Sequence, residues 1–418
     1  MVTTRFAAAL IAACLSMVLA PTTTAAATLN EGDILVTDID WGAVFLIDPV
    51  TGGQTQITSL FSLSRPTGIA VEATGSIVVA EEIAAEVERI DPDAGTHTTL
   101  SSAAMLAQVP ALAVEANGNI LVTDLPLGIV RVDPVSGIQT TVSIYFDILT
   151  EIGGIAVEAD GQILLVDATA GVIRADPLSG ARTTVSSGGA FVSPAGLAVA
   201  ANGDILVADV SAGVIRVDPV TGTQTIVSSG GLLQSIHSVA VEANGDIVVA
   251  DTDAAAVIRI DPVSGAQSIV SSGGKLGWPW GIAVVPRLVP RYACAGFDDI
   301  ADTPLKVTGP RTIPLRAGLL DRGLAVAGDG LAAAPVVQVD FASGAPAEPP
   351  TDVTDLVPPP DRAFVGNQFL YKEASARWFH GLQTIKYSPP GTYAITMVSG
   401  DDREYVIDPP CTASYVIE

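Results

Sequence analysis

The sequence predicts an all-β chain: a six-bladed β-propeller closed by pairing of its N- and C-terminal strands, followed by a small antiparallel β-sandwich. Three observations predict it. Asp-Pro recurs at Asp48-Pro49, Asp91-Pro92, Asp133-Pro134, Asp176-Pro177, Asp218-Pro219 and Asp261-Pro262, in steps of 42 or 43 residues, and a period of that length marks repeated supersecondary units. An Ala-Val pair recurs in phase with it, led by Ala70, Ala113, Ala156, Ala198, Ala240 and Ala283. The ends of the repeat complement each other. The first copy opens at "GDILVTD", Gly32 to Asp38, without a first strand, and the last copy stops after "GIAVVP", Gly281 to Pro286. Pairing the two fragments completes a blade and removes two exposed sheet edges.

Each unit divides into four short runs, as in "HSVAVEANGDIVVADTDAAAVIRIDPVSGAQSIVSSGG" from His237 to Gly274. The runs "VAVE", "DIVVAD", "AVIRID" and "AQSIVSS" are rich in Val and Ile, and "ANG", "TDAA" and "PVSG" separate them. That is strand-and-turn chemistry. No sustained helical period occurs. Four strands in about 42 residues is the pattern of a propeller blade.

The Asp-Pro period ends before Arg287, and residues 287–418 form a second domain of different character. Its candidate strands are "RTIPLRAGLL", "PVVQVDFAS", "NQFLYKEA", "ARWFHGL", "GTYAITMVS" and "REYVID", with a Pro-rich loop from Ala345 to Asp361. Strands at this spacing predict a sandwich.

Residues 1–27 read as an export signal: Arg5, an apolar run from Phe6 to Ala20, and the small-residue cleavage site Ala25-Ala26-Ala27, which sets a mature start near Thr28. The apolar run is short for a membrane span, and no transmembrane segment is expected in the mature chain. Ile11-Ala12-Ala13-Cys14 matches a loose lipobox, so lipidation of Cys14 is the alternative to ordinary cleavage. The expected location is secreted, periplasmic or at the cell surface. Cys294 and Cys411 then remain, and an even pair in an exported protein predicts a disulfide. The formal net charge of −25, from 45 acidic and 20 basic residues, argues against a nucleic-acid partner, whose affinity rests on Lys and Arg neutralising phosphates.

The segments "RPTGIAVEATGSIVVAEE" and "SPAGLAVAANGDILVADVSAGVIRVDP" resemble NHL-type repeats and the wider group of gluconolactonase-like and virginiamycin B lyase-like propellers, over roughly Leu29 to Pro286. The resemblance implies the propeller architecture. For activity it implies a metal-dependent lactonase or lyase, with acidic and amide ligands and a His–Glu pair. The tail segments "IPLRAGLLDRG", "FLYKEASARWF" and "GTYAITMVSGDDREYVI" resemble the PxKF-type accessory β-domain of bacterial exported proteins. Pro314, Leu315 and Arg316 match its core, and Ala317 departs from it. This resemblance implies a structural or attachment module.

Propeller geometry sorts the loops into two faces. The turns "EANGD" and "DPVSG" lie on one face and are nearly identical in every copy, so no ligand is expected there. The links into each first strand, and the turns after each second strand, lie on the other face and differ between copies. Variable loops on a repeated scaffold are where function sits. Arg65, Gln108, Glu151, His237, Trp278 and Trp280 are therefore the candidate ligand-binding residues. Trp278 and Trp280, in "GWPWG", read either as an aromatic platform for a sugar, peptide or apolar ligand or as hydrophobic plugs of the closing blade. On the same face each second strand ends in an acid: Asp38, Glu81, Asp124, Asp167, Asp209 and Asp251. These acids could hold Ca²⁺ or another divalent cation. Their repetition in every blade favours a structural task, such as an Asx-type turn. The breaks in that symmetry, Glu81-Glu82, Asp40-Trp41 and Asp253, could build a local acidic pocket.

Catalytic chemistry is sparse. Of three histidines, His97 is expected in a solvated turn, His380 lies in the tail, and His237 alone is placed for acid–base work, with Glu151 as its best partner. No catalytic residue is assigned, and no cofactor is expected beyond a divalent cation such as Ca²⁺. Three readings follow: a binding propeller for a protein, peptide or carbohydrate; a metal-dependent lactonase or lyase acting in the channel; and a surface scaffold without a small ligand.

Overall fold

The computed structural model describes residues 27–102, 105–125, 127–144 and 152–297, and beyond them 305–307, 312–321, 324–326, 331, 333–342, 351–352, 368–372, 375, 377–383, 391–399, 405–407 and 411–417. Cys14 with the export signal up to residue 26, Glu151, and the Pro-rich stretch from Ala345 to Asp361 apart from Thr351–Asp352 lie outside them. Every named element among the described residues is a strand. The chain divides into two compact units, Met1–Arg287 and Leu288–Glu418.

The first unit is a β-propeller built from four-stranded antiparallel sheets, six of them among the described residues. Five are contiguous in sequence. The sixth sheet (residues 236–272) shows the plan: Ile236–Val241, Ile247–Asp251, Ala256–Ile260 and Gln267–Ser272. The second strand is buried throughout in every sheet, as in Ile163–Asp167 and Ile205–Asp209. It lies on neither surface, so it reads as a continuous apolar run. The fourth strand is mostly half-buried or exposed, as in Arg182–Ser186 and Gln224–Ser228, because it is the outer edge. The first sheet is assembled from both ends of the repeat. Ile34–Asp38 pairs with Ala43–Ile47 on one side and antiparallel with Pro279–Val284 on the other, in the register Ile34 to Val284 and Val36 to Ile282.

Neighbouring sheets are joined by bonds that the repeat itself encodes. Ser186 Oγ donates to the carbonyl of Gly222 in the next sheet, and Gln224 Nε2 donates back to Ser186 Oγ. The same exchange joins Ser228 to Gly265 and Gln267. It also joins Ser271 of the sixth sheet to Gly52 and Gln54 of the first, across more than 200 residues. Arginines on third strands provide a second link. Arg131, Arg174, Arg216 and Arg259 each donate to a Pro carbonyl of the following sheet: Pro177, Pro219, Pro262 and Pro49.

The inner strands of successive sheets touch. A Cβ on Gly196 would fall 2.5 Å from the His237 carbonyl, and one on Gly68 would fall 2.9 Å from Leu112 N. Glycine at Gly68 and Gly196, in the lead of the inner strand, is thus required by close backbone approach.

The second unit carries a six-stranded and a five-stranded sheet. Thr312–Asp321 pairs with Arg377–Gln383, and Val336–Ala342 with Gly391–Val398. Its core holds Leu315, Leu319, Val337, Phe369, Trp378, Ile395 and Tyr415. The sequence expectation of a purely antiparallel sandwich is corrected at two places. Arg291–Phe297 pairs in parallel with Val406–Ile407, and Leu305–Val307 with Cys411–Ile417. Strands that meet after a long excursion of chain are free to run either way, and their alternation does not encode direction. Ala317 is fully buried opposite Trp378, whose bulk fills the space a larger residue would take. Cys294 and Cys411 form the disulfide, with Cα atoms 5.2 Å apart.

Candidate functional site

The acids that end the second strands are each consumed by backbone donors. Asp209 shows the full pattern. Its Oδ1 accepts from Ser211 N at 3.0 Å and Ala212 N at 2.8 Å, in the turn that follows its own strand. Its Oδ2 accepts from Val192 N at 2.7 Å and Ser193 N at 2.9 Å, in the link entering the sheet. Asp124 holds Ala107, Gln108 and Leu127 in the same way, and Asp251 holds Gln234, Ser235 and Ala254. Asp167 holds its own turn through Thr169 and Ala170. Asp38 reaches across the chain to Gly277 N and Trp278 N, as well as to Trp41 N. Asp38, Asp124, Asp209 and Asp251 are thus buried clamps between a hairpin turn and an incoming loop. Burial pushes the Asp38 carboxyl up, against the pull of its three N–H donors.

The second sheet departs from this plan. Among the described residues Glu81 accepts from Ser64 N alone. It lies with Glu86 and Glu88 in a cluster whose carboxylate oxygens are all within 4.8 Å of one another. Burial pushes Glu81 up, and Glu88 and Glu86 add to it by repulsion. Glu88 occupies the buried place that Ile173, Ile215 and Ile258 fill elsewhere. Its partners are Thr99 Oγ1 and His97 Nδ1, the latter at 3.2 Å. His97 is exposed, as expected, but it stands in the strand Thr96–Ser102 rather than in a turn, and its Nδ1 faces this buried acid. Among the described residues this is the group of metal-ligating side chains brought close together, and Glu81 is the member of the acidic ring it contains.

The candidate ligand residues converge. Trp280 is the hub. The His237 ring stacks on it with centroids 3.9 Å apart, and the Arg65 guanidinium lies over it at 5.9 Å. Trp278 meets it edge-on at 6.4 Å. Arg65 Nε stands 2.8 Å from Glu82 Oε2, an ion-pair distance, and Gln108 Nε2 donates to Glu82 Oε1 at 2.7 Å. Five of the six predicted residues, Gln108, Arg65, Trp280, Trp278 and His237, thus form one strip across four sheets. Glu151 lies outside the described residues. Glu82, noted in the sequence only as a break in symmetry, is the residue that ties Gln108 to Arg65. Arg65 itself sits at φ +57°, a backbone strain placed in this loop.

Local structure explains why these side chains meet. The residue two before each Ala-Val pair is small in every sheet, so the inner strands crowd at that level. The residue just before it must then point up toward the face. His237 Nδ1 shares a hydrogen bond with Thr252 Oγ1 at 2.9 Å; Glu151, its expected partner, is outside the described residues. Burial holds the His237 imidazole below its usual range, so it is neutral at pH 7, while Asp253 and Asp251 oppose the shift. Beneath the strip, along the inner strands, the axial cavity is only about 80 Å³ and is lined largely by backbone-exposing residues such as Gly68, Gly154, Gly196 and Gly281. Trp278 is 40% exposed, the one large aromatic of the strip that faces solvent.

No family profile matches the chain, and no curated protein matches it. Among solved structures the chain is similar to one in a nidogen/laminin complex, at 16% identity and a TM-score of 0.53, covering 61% of this chain and 99% of that one. It is similar, more distantly, to virginiamycin B lyase from Staphylococcus aureus, at 15% identity and a TM-score of 0.47, covering 62% and 87%. A protein of unknown function from Bacteroides caccae stands at 18% identity and 0.49, covering 60% and 98%. At this identity the first likeness carries the β-propeller fold and nothing of its chemistry.

Proposed function

We propose that the chain is an exported six-bladed propeller, closed by its terminal strands, that captures a carbohydrate or peptide ligand on the face bearing Trp278 and Trp280. Residues 287–418 serve as a spacer or attachment domain. Closure is supported by the pairing of Ile34–Asp38 with Pro279–Val284, and by the Ser271–Gly52 and Arg259–Pro49 bonds, which repeat those between the other sheets. The observation that carries the binding reading is the convergence of the variable-loop residues on Trp280, with Trp278 left exposed at the edge. An indole edge-on to a second, stacked indole is a rigid apolar platform, and Arg65, Glu82 and Gln108 supply polar contacts beside it.

The lactonase or lyase reading is less supported. The ring acids Asp38, Asp124, Asp167, Asp209 and Asp251 already accept backbone N–H donors, so they fit a divalent cation poorly. An axial space of about 80 Å³ has room for a few waters rather than for a substrate. A combined glycan and peptide array probed with the purified chain tests the proposal. It predicts a hit that Trp278→Ala with Trp280→Ala abolishes while the thermal melt is retained. Equal binding by the double variant removes this face from consideration. Bound divalent metal together with turnover in a lactone and lyase screen would move the function to the enzyme reading.

A further inference from the structure

The N-terminal end of the propeller replaces a link that the first sheet lacks. In four sheets a third-strand arginine donates to the Pro carbonyl of the next Asp-Pro turn, and three of these, Arg131, Arg174 and Arg259, are also held by a glutamate, Glu115, Glu158 and Glu242. The register places Leu46 of the first sheet where that arginine stands, because Leu46 pairs with Leu35 as Arg259 pairs with Val248. The glutamate's place falls to Val285, next after the closing strand, which is buried. The carbonyl left without its arginine is Pro92, in the second sheet. Ala27 N donates to it at 3.0 Å, and Ala27 and Leu29 are both buried, each 7% exposed. The turn at this point is also distinct. Asp93 occupies the tip where Val50, Val135, Leu178, Val220 and Val263 stand exposed in the other turns, and Thr28 Oγ1 lies 3.4 Å from its carboxylate. Three departures from the repeat, at Leu46, Val285 and Asp93, therefore accompany this one added donor.

We propose that Ala27 is the first residue of the processed chain, and that its α-ammonium group does the work of the missing arginine. A cation at Ala27 N reproduces the charge and the donor that Arg259 brings to Pro49, and Asp93 is the acid that matches it, as Glu242 matches Arg259. A neutral amide continuing from a leader would give Pro92 one donor and Asp93 no counter-charge. The cut then lies one residue before the Ala-Ala-Ala end predicts, since removal of Ala27 would delete the donor. The inference rests on reading residues 1–26 as a leader, and it is independent of the ligand-binding proposal.

The exported protein, isolated from its native secretion route, is tested by N-terminal sequencing and intact mass. The expected first residue is Ala27. A mature chain that begins at Thr28 or later overturns the inference and leaves the leader reading in place, whereas a chain that keeps residues 1–26 overturns both. A second measurement reads the ammonium directly. In chains made to begin at Ala27, Asp93→Val is expected to lower Tm by about 2–4 °C, and acetylation of the α-amino group to lower it similarly. In chains made to begin at Thr28, Asp93→Val is expected to change Tm by less than about 1 °C, and Leu46→Arg with Val285→Glu to recover the loss. Equal effects of Asp93→Val in both chains would contradict the role of the charge.

Discussion

The two faces of the propeller are made from the same repeat and spend it differently. On one face the turns are Asp-Pro turns and glycine turns led by Thr74, Asn117, Asp160, Asn202 or Asn244, and each Asp-Pro acid serves its own turn. Asp176 accepts from Leu178 N, Ser179 N and Ser179 Oγ. Its side chain is held down to about 2 by those donors and by Gln162. Val50, Val135, Leu178, Val220 and Val263 stand fully exposed at the tips, one to a turn, as isolated apolar residues that need no partner. On the other face the acids reach across to the loop entering their own sheet, and the residues they position vary, from Gln108 through Ser193 and Ser235 to Trp278. The lesson is that a repeated anchor permits unrepeated sequence. Once Asp38, Asp124, Asp209 and Asp251 fix the entering backbone, the side chains at 65, 108, 237, 278 and 280 are free to specialise.

The comparison can be broken most sharply at an anchor. Asp209→Ala removes the acceptor of four backbone N–H groups at a site with no solvent access. A loss of about 3–5 kcal/mol is expected by chemical denaturation, the scale of a broken buried network. A smaller effect is expected where the inner strands crowd. Gly196→Ala drives a methyl against the His237 carbonyl, and overpacking of this kind costs about 1–3 kcal/mol. It should also disturb His237 and so weaken ligand capture more than Gly203→Ala, which meets nothing but carries a left-handed φ of +89°.

Acid separates the faces next. The carboxyls of Asp48, Asp133, Asp176, Asp218 and Asp261 lie below their usual range because backbone N–H groups, and in most a Ser or Thr hydroxyl, donate to them. A depressed carboxyl contributes stability above its unfolded value, near 3.9, and that contribution is lost as pH falls through the folded value, about 2 for Asp176. His237 acts in an earlier window. Its folded value is depressed, so its protonation on unfolding lowers stability as pH drops below about 6.5. A pH series of thermal melts should therefore soften first below about 6.5, through His237 in the propeller and through His380, which burial also holds low, in the second unit, and again between about 4 and 2, through the Asp-Pro turns. His237→Gln should remove the propeller's share of the first step and leave the second.

Much of this was legible in the sequence. The steps of 42 or 43 residues, and the missing first strand before Ile34, located the sheets and the partner of Pro279–Val284 before any coordinate. The convergence of Arg65, Gln108, His237, Trp278 and Trp280 was legible because the repeat identifies equivalent positions, and equivalent positions on one face are neighbours. Three features were not. The role of the acidic ring depends on which N–H groups reach Asp209, and a one-dimensional pattern does not record donors. The His97–Glu88 contact needs a carboxylate at a core position, where periodicity predicts an apolar residue and is silent on what accompanies the exception. The parallel pairs in the second unit arise from long connections, whose direction leaves no periodic trace. The Cys294–Cys411 pairing was legible by count alone. By chain entropy it contributes roughly 2–5 kcal/mol to that unit, so reduction should unfold it well before the propeller.

The division of labour between the faces is tested most directly by hydrogen exchange on the chain saturated with its strongest array ligand. Added protection is predicted in the segments around Arg65, Glu82, Thr252 and Trp278 to Gly281, with no change at the turns that carry Val135, Leu178, Val220 and Val263. Protection confined to those turns, with none at Trp278 to Gly281, would contradict the account.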